Sequence, residues 1–467
     1  MNGARALVAL FPLLALLAAA PTRPVRAQAA DASIDAFLEA AVDDDDRRDA
    51  ALGEIASHWR DGYAALLVDL IDLVERTRFY NAGTFGSTRR LYSFLEDETG
   101  QRFGSDLDAW RRWVWSLPYD PHPDYLAFKA KLYARLDRRF AVFFRDGMKS
   151  SIRLDEIQWG GVGVNGIPPL ENSIFIAADE ADYLDDGDIV FGLAIDGDVR
   201  AYPKRILAWH EMALDHIGSH DVAVVYCTLC GTVIPYDTNV GGRKLRFGTS
   251  GFLYQSNKLM FDAETGSLWS SLTGEPVVGT ILDLGLRLDA LPVVTTTWGE
   301  WRAQHPDTTV LSLETGFRRD YSEGAAYRDY FGTDALMFDV TRHDPRLANK
   351  AEVLVPDVRK AADPGPLAIS TGLLDREPVY TFTADGENYV VITSPGGANR
   401  VYAAADRHFV ATDGVGSVVD SEGGRWTLSE AALTADADTG LRLPRVVAHR
   451  SFWFAWYAQH PDTLLLQ

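Results

Sequence analysis

Cysteine is nearly missing from this chain: two in 467 residues. A disulfide framework that staples an exported fold needs more, spread along the sequence, so stapling is not what these two do. Basic residues are also in deficit, 45 against 66 acids, giving a formal charge of −21. No basic run occurs, which argues against nucleic acid or anionic lipid as a partner. After the first 20 residues no stretch reaches the about 18 apolar residues that a membrane span requires. What is present in quantity is apolar and aromatic sequence, 47% and 11%. That excludes a disordered chain, and the length exceeds what one core usually fills.

The N-terminus reads as a secretory signal. Arg5 opens it, Ala6 to Ala20 is its apolar core, and Val25-Arg26-Ala27 fits the small-x-small cleavage rule. Removing residues 1–27 takes away three arginines and no acids, leaving 42 bases against 66 acids. The expected mature protein is acidic, exported to the periplasm or secreted, and without a membrane span.

The expected fold class is α+β: an N-terminal helical domain, residues 28–150, followed by a β-rich region. From Ala50 to Arg78 apolar residues fall at helical spacing, among them Leu52, Ile55, Trp59, Leu66, Leu70 and Val74. Asp43 to Asp46 lacks the alternation and turn glycine of a calcium loop and reads as a solvated helix start. Trp110, Trp113 and Trp115 read as core rather than as a binding platform. From Ser151 onward, short β-branched runs alternate with Gly, Pro, Asp and Asn turns. Asp196-Gly197-Asp198 is a hairpin signal.

The β-rich region carries an internal echo. Trp298-x-x-Trp301…Gln304-His305-Pro306-Asp307-Thr308 recurs as Trp453-x-x-Trp456…Gln459-His460-Pro461-Asp462-Thr463. Asp262-x-Glu264-x-Gly266-x-x-Trp269 echoes Asp420-x-Glu422-x-Gly424-x-Trp426. The expectation is two degenerate copies, about 190–313 and 370–467, joined by a Pro/Gly-rich linker around Pro356 to Pro366. In domain terms this gives 151–350 and 367–467. In this register the cysteines face Thr393 and Gly396, so only the first copy has them.

Cys227-Thr-Leu-Cys230-Gly231 is the sharpest chemical signal. It directly follows an apolar strand, Val222 to Tyr226. Two intervening residues let both sulfurs reach one ion, and the glycine relieves the tight backbone. The preferred expectation is a metal-binding protein, a metalloenzyme if a coordination position stays open. Copper comes before zinc, because thiolate and thioether donors are soft. His210, Met260 and Glu211 are the candidate further ligands. Trp209, Tyr254 and Trp269 are candidate pocket walls, and Thr249, Ser250 and Asn257 candidate polar contacts. The partner would be a small molecule or a metal donor. Two alternatives stand beside it: a thiol–disulfide redox protein and a non-catalytic envelope-binding module. A c-type haem is excluded because Gly231, not His, follows Cys230.

Other motifs dissolve on inspection. Gly161-x-Gly163-x-x-Gly166 runs into Ile167-Pro168-Pro169, where a dinucleotide fingerprint needs a helix. Gly248-Thr-Ser250-Gly251 misplaces the second glycine of a nucleophile elbow. His210-Glu211 lacks the second histidine of a zinc protease, with Leu214 in its place.

From Ile152 to Leu313 the chain resembles a known bacterial family, catalogued as domain of unknown function 3179. The matching strings include Asp155-Glu156-Ile157, Gly166-Ile167-Pro168-Pro169-Leu170, Arg200-Ala201-Tyr202-Pro203, Trp209-His210-Glu211, Tyr226-Cys227-Thr-Leu-Cys230-Gly231-Thr232, Phe247-Gly248-Thr249-Ser250-Gly251, Leu259-Met260-Phe261-Asp262 and Ser267-Leu268-Trp269-Ser270. The resemblance implies that the strings containing His210, the cysteines and Met260 belong to one unit. It implies no activity.

Overall fold

A computed structural model describes residues 30–79, 88–358, 365–413 and 415–467. The expected signal, residues 1–27, lies outside the described residues. Among those described, no helix is long and apolar enough to cross a membrane.

Among the described residues the first helices are Ile34–Glu39, Asp45–Ser57, Ala64–Phe79, Arg89–Thr99, Leu107–Ser116 and Tyr125–Tyr133. The aspartate run does start a helix. Asp44 accepts from the Arg47 N–H, and Asp45 and Asp46 fill the first turn, where carboxylates complement the helix dipole. The apolar periodicity from Ala50 to Arg78 is divided between two helices. The break falls at a 3-10 turn, Asp61–Tyr63, where a Cβ on Gly62 would sit 2.0 Å from the Asp120 carbonyl oxygen. Trp110 is fully buried and donates to the Gly104 carbonyl, a core role.

This helical layer is not a separate body. Its core runs on into a six-stranded sheet built from Lys149–Ser150, Pro276–Gly279, Leu268–Ser270, Asn257–Asp262, Phe247–Tyr254 and Ile157–Trp159, in that spatial order. Phe252 projects from the sheet into the rings of Tyr133, Phe140 and Phe144, with centroids 4.8–5.3 Å apart.

The two copies share a strand plan. In the first, Val294–Thr297 pairs antiparallel with Ile189–Ile195, which pairs with Asp198–Pro203, which pairs parallel with Thr309–Leu311. In the second, Ala448–Phe452 pairs antiparallel with Glu352–Pro356, which pairs with Leu367–Ser370, which pairs parallel with Leu464–Leu466. In each, a short Trp-x-x-Trp helix joins the two outer strands, Trp298–Gln304 and Trp453–Gln459. In each, the second tryptophan of that helix lies against the following histidine, 4.2 Å for Trp301 and His305 and 4.0 Å for Trp456 and His460. Asp262 accepts the Trp269 indole N–H at 2.9 Å, and Asp420 accepts that of Trp426 at the same distance.

The second copy begins earlier than the sequence suggests. The stretch read as a linker connects two strands that pair with each other, Val353 opposite Ser370 and Leu354 opposite Ile369. Residues 359–364 of that stretch lie outside the described residues; the strands on either side of it pair in one sheet, and the second copy therefore opens at Glu352.

The copies also grip each other reciprocally. The Phe452 N–H, at the end of a second-copy strand, donates to the Cys230 carbonyl in the first copy (2.8 Å). Glu300, in the equivalent first-copy helix, accepts from Gly396 N–H and Ser394 Oγ in the second (2.5 Å each).

Candidate functional site

The strand His220–Cys227 pairs antiparallel with Met212–Ile217 on one side and Thr232–Asp237 on the other. The turn between Cys227 and Thr232 holds both cysteines, and they are joined as a disulfide. Both are buried, within a wrapper that includes Leu229, Leu253, Tyr330, Phe338, Phe452 and Phe454. Gly231 closes the turn with φ +62°, and a Cβ there would stand 2.7–2.9 Å from the Phe452 ring. Only glycine fits both the conformation and the space. In the second copy Thr393, opposite Asn399, takes the place of Cys227 opposite Thr232.

Glu211 reaches this turn because of a backbone reversal. The helix Lys204–His210 ends at Glu211, which is left-handed at φ 56° and bonds back to Leu207 O. Its carboxylate accepts from Thr228 Oγ1 at 2.6 Å and from the Tyr327 hydroxyl at 3.3 Å. Its carbonyl accepts the Tyr226 N–H and the Lys258 ammonium, the latter at 2.5 Å. Lys258 Nζ also donates to Tyr226 O (3.2 Å) and lies 3.7 Å from Glu211 Oε2. Burial pushes the Lys258 ammonium down to about 8, against the pull of Glu211. Near neutrality it can hold or release a proton.

The two sulfurs meet unlike neighbours. The Lys258 backbone N–H donates to Cys227 Sγ at 3.5 Å. Cys230 Sγ lies 3.5 Å from the Ser256 carbonyl oxygen, an acceptor that only a thiol S–H can satisfy. A donor favours the thiolate and an acceptor favours the thiol.

The hairpin tip supplying these neighbours, Gln255-Ser256, is itself unusual. Both residues are left-handed, at φ 49° and 58°, a turn that ordinarily takes Asn-Gly. Each such residue costs about 1–3 kcal/mol. Gln255 is clamped from two sides, donating to Glu156 Oε2 (2.6 Å) and accepting from Thr341 N–H (2.9 Å). Burial also raises the Glu156 carboxyl. Ser256 Oγ and Asn257 Oδ1 are buried without a hydrogen-bond partner. Strain and two unpartnered polar atoms thus gather at the hairpin tip beside the cysteines.

Of the expected ligands, Glu211 joins the cysteines through Thr228 and Lys258, whereas His210 and Met260 turn elsewhere. His210 is buried with Nδ1 on Pro168 O (2.9 Å) and Nε2 on the Tyr321 hydroxyl (2.6 Å), and burial lowers its pKa. Met260 packs with Met212, Val225 and Trp269. Among the described residues, no group of three or more His, Cys, Asp or Glu side chains is placed to hold a metal ion.

Of the expected pocket residues, Asn257 adjoins the site and bonds Gln255 O and Ala455 O. Tyr254 precedes it, its phenol pushed up to about 12 by burial and Glu156. Thr249 and Ser250 hold backbone, donating to Ile167 O (2.7 Å) and Leu259 O (2.5 Å). Trp269 is core, and Trp209 donates to Asp320 O away from the sulfurs. The residues that sequence reasoning passed over are Lys258, Thr228, Ser256 and Tyr327. Lys258 had a readable signal, a lone cation inside the apolar string Asn257-Lys258-Leu259-Met260-Phe261.

A family model described as "Protein of unknown function (DUF3179)" matches residues 164–463. That interval contains the first copy, the second copy up to its last strand, and every group around the disulfide except Glu156, and leaves out the helical front. No curated protein and no solved structure matches the chain.

Proposed function

We propose, from the premise that this chain belongs to the family described as Protein of unknown function (DUF3179), that it is an exported thiol–disulfide redox protein working through Cys227 and Cys230. The observation that carries the reading is the pairing of the chain's two cysteines across two residues, with a hydrogen-bond donor on one sulfur and an acceptor on the other. A disulfide closing so short a loop removes little chain entropy, so fold stapling gains little from it. In exchange, the disulfide takes two electrons and two protons from an external dithiol and becomes Cys227–SH and Cys230–SH, and the dithiol leaves as a disulfide. In this reading Lys258, whose ammonium bonds the carbonyl of the residue before Cys227, would take up or give back the proton.

The test is thiol trapping across a series of dithiothreitol ratios at neutral pH, with circular dichroism on the same samples. Reversible reduction in the folded protein is expected. A bond that yields only when the fold melts sinks the reading. Copper or zinc is the second reading and applies to the reduced pair. Zinc asks for four donors, whereas two adjacent soft sulfurs suit Cu(I) better. Elemental analysis of the reduced protein beside Cys227→Ser separates it from the first.

A further inference from the structure

Next to the disulfide's wrapper lies a cavity of about 270 Å³ between the helical layer and residues 336–349. Leu336 and Phe338 stand in both, lining the cavity on one face and packing on the cysteine cluster with the other. The strand Ile157–Trp159 supplies Gln158, whose strand partner Leu253 is itself part of the wrapper. One layer of side chains therefore separates the cavity from the sulfurs.

The cavity is lined by charge of both signs. Arg76 bonds Asp72 through Nε, which leaves its terminal nitrogens as donors, and its guanidinium lies 4.7 Å above the Phe338 ring. Asp108, on the facing helix, accepts from Arg111 through Oδ1 (2.8 Å) and keeps 62% of its side chain exposed, so its other oxygen faces the cavity's solvent. Gln158 is 4% exposed, and its Oε1 is an acceptor with no partner. A buried acceptor left unmet costs about 1–3 kcal/mol, which a ligand N–H would recover.

The geometry points to this cavity as the seat of a small zwitterionic disulfide, of an amino acid or short peptide, that exchanges with Cys227 and Cys230. The inference rests on the redox reading above. Its carboxylate would meet Arg76, and its ammonium or amide N–H would meet Gln158 Oε1 and Asp108. Reaction requires residues 336–338 to move aside. A Cys227 thiolate then attacks one sulfur of the small disulfide and expels one thiolate. Cys230 attacks the mixed disulfide, releases the second thiol and closes the protein disulfide. Two electrons pass to the small disulfide, and the two cysteine protons end on the two departing thiols.

The test follows oxidation of the reduced full chain by thiol trapping, with cystine and with the uncharged bis(2-hydroxyethyl) disulfide as probes. Cystine is expected to react about tenfold or more faster, the worth of one charge-assisted hydrogen bond. Gln158→Leu and Arg76→Met are expected to erase that preference, with circular dichroism on the same samples showing that they are folded. If Gln158→Leu does not fold, Arg76→Met carries the test. Equal rates for both probes in the wild type, or a preference that survives in the variants, overturn the cavity assignment and leave the redox reading standing. Failure of both probes to oxidise the pair overturns both.

Discussion

The backbone N–H of Lys258 points at Cys227 Sγ, while the side chain of the same residue donates to the carbonyl of Tyr226, the residue just before that cysteine. One residue thus fixes both the sulfur and the strand end that presents it. Cys230 receives no such donor.

This asymmetry predicts that Cys227 is the more reactive sulfur of the reduced pair. In reduced protein, Cys230→Ser, which keeps Cys227, is expected to alkylate with iodoacetamide about tenfold faster at pH 7 than Cys227→Ser, since the thiolate is the nucleophile. Faster reaction of Cys227→Ser would reverse the assignment.

Lys258 also ties stability to pH. Its folded value, about 8, lies below the 10.5 of an unconstrained lysine. Between these values the unfolded chain binds a proton that the folded chain does not, so stability rises with pH through this window. Urea unfolding is expected to show a gain on the order of 2 kcal/mol from pH 7.5 to 9.5. Lys258→Met should lack that gain, and at pH 7.5 should be less stable by roughly 3–5 kcal/mol, because Glu211 is left buried without its cation. A parallel pH curve for the variant would remove Lys258 as the cause.

Gly231→Ala puts a methyl group into the Phe452 ring and a side chain at φ +62°. A loss of at least about 1–3 kcal/mol is expected. Adding Phe452→Ala should relieve the steric part and not the backbone part, so thermal melts of the pair should show partial rescue. No coupling between the two would mean that they do not touch.

The matching aspartate–indole bonds of the two copies should be matched in energy. Trp269→Phe and Trp426→Phe each leave a buried carboxylate oxygen without one donor, at about 1–3 kcal/mol. Loss of stability at only one site, in denaturant titration, would show that the other bond is incidental.

Much of the scaffold was legible because it is periodic or repeated: the helical front, the aspartate-capped helix, the Trp-x-x-Trp echo. The start of the second copy was not, because the connection after Pro356 has the composition of a linker and only the pairing of the strands on either side of it places both in one copy. At the site, the cysteines and Glu211 were legible from type and spacing. His210 is bonded elsewhere for a local reason. The left-handed turn at Glu211 sends neighbouring side chains to opposite places, Glu211 to Thr228 and His210 to Pro168 and Tyr321. Lys258 and Ser256 were missed because their role lies in tertiary contacts from a hairpin 26 to 31 residues past the cysteines.

The reciprocal grip of the two copies sets an order in time. Cys227 and Cys230 can meet as soon as their hairpin forms, since three positions separate them. The strand that roofs them arrives last: Ser451, which bonds Thr232, is 219 residues further on. A chain emerging from its N-terminus therefore displays the pair to the surrounding redox agents through most of its emergence. It covers the pair when the final strands dock, so a partner that exchanges with the finished protein must first displace part of that roof.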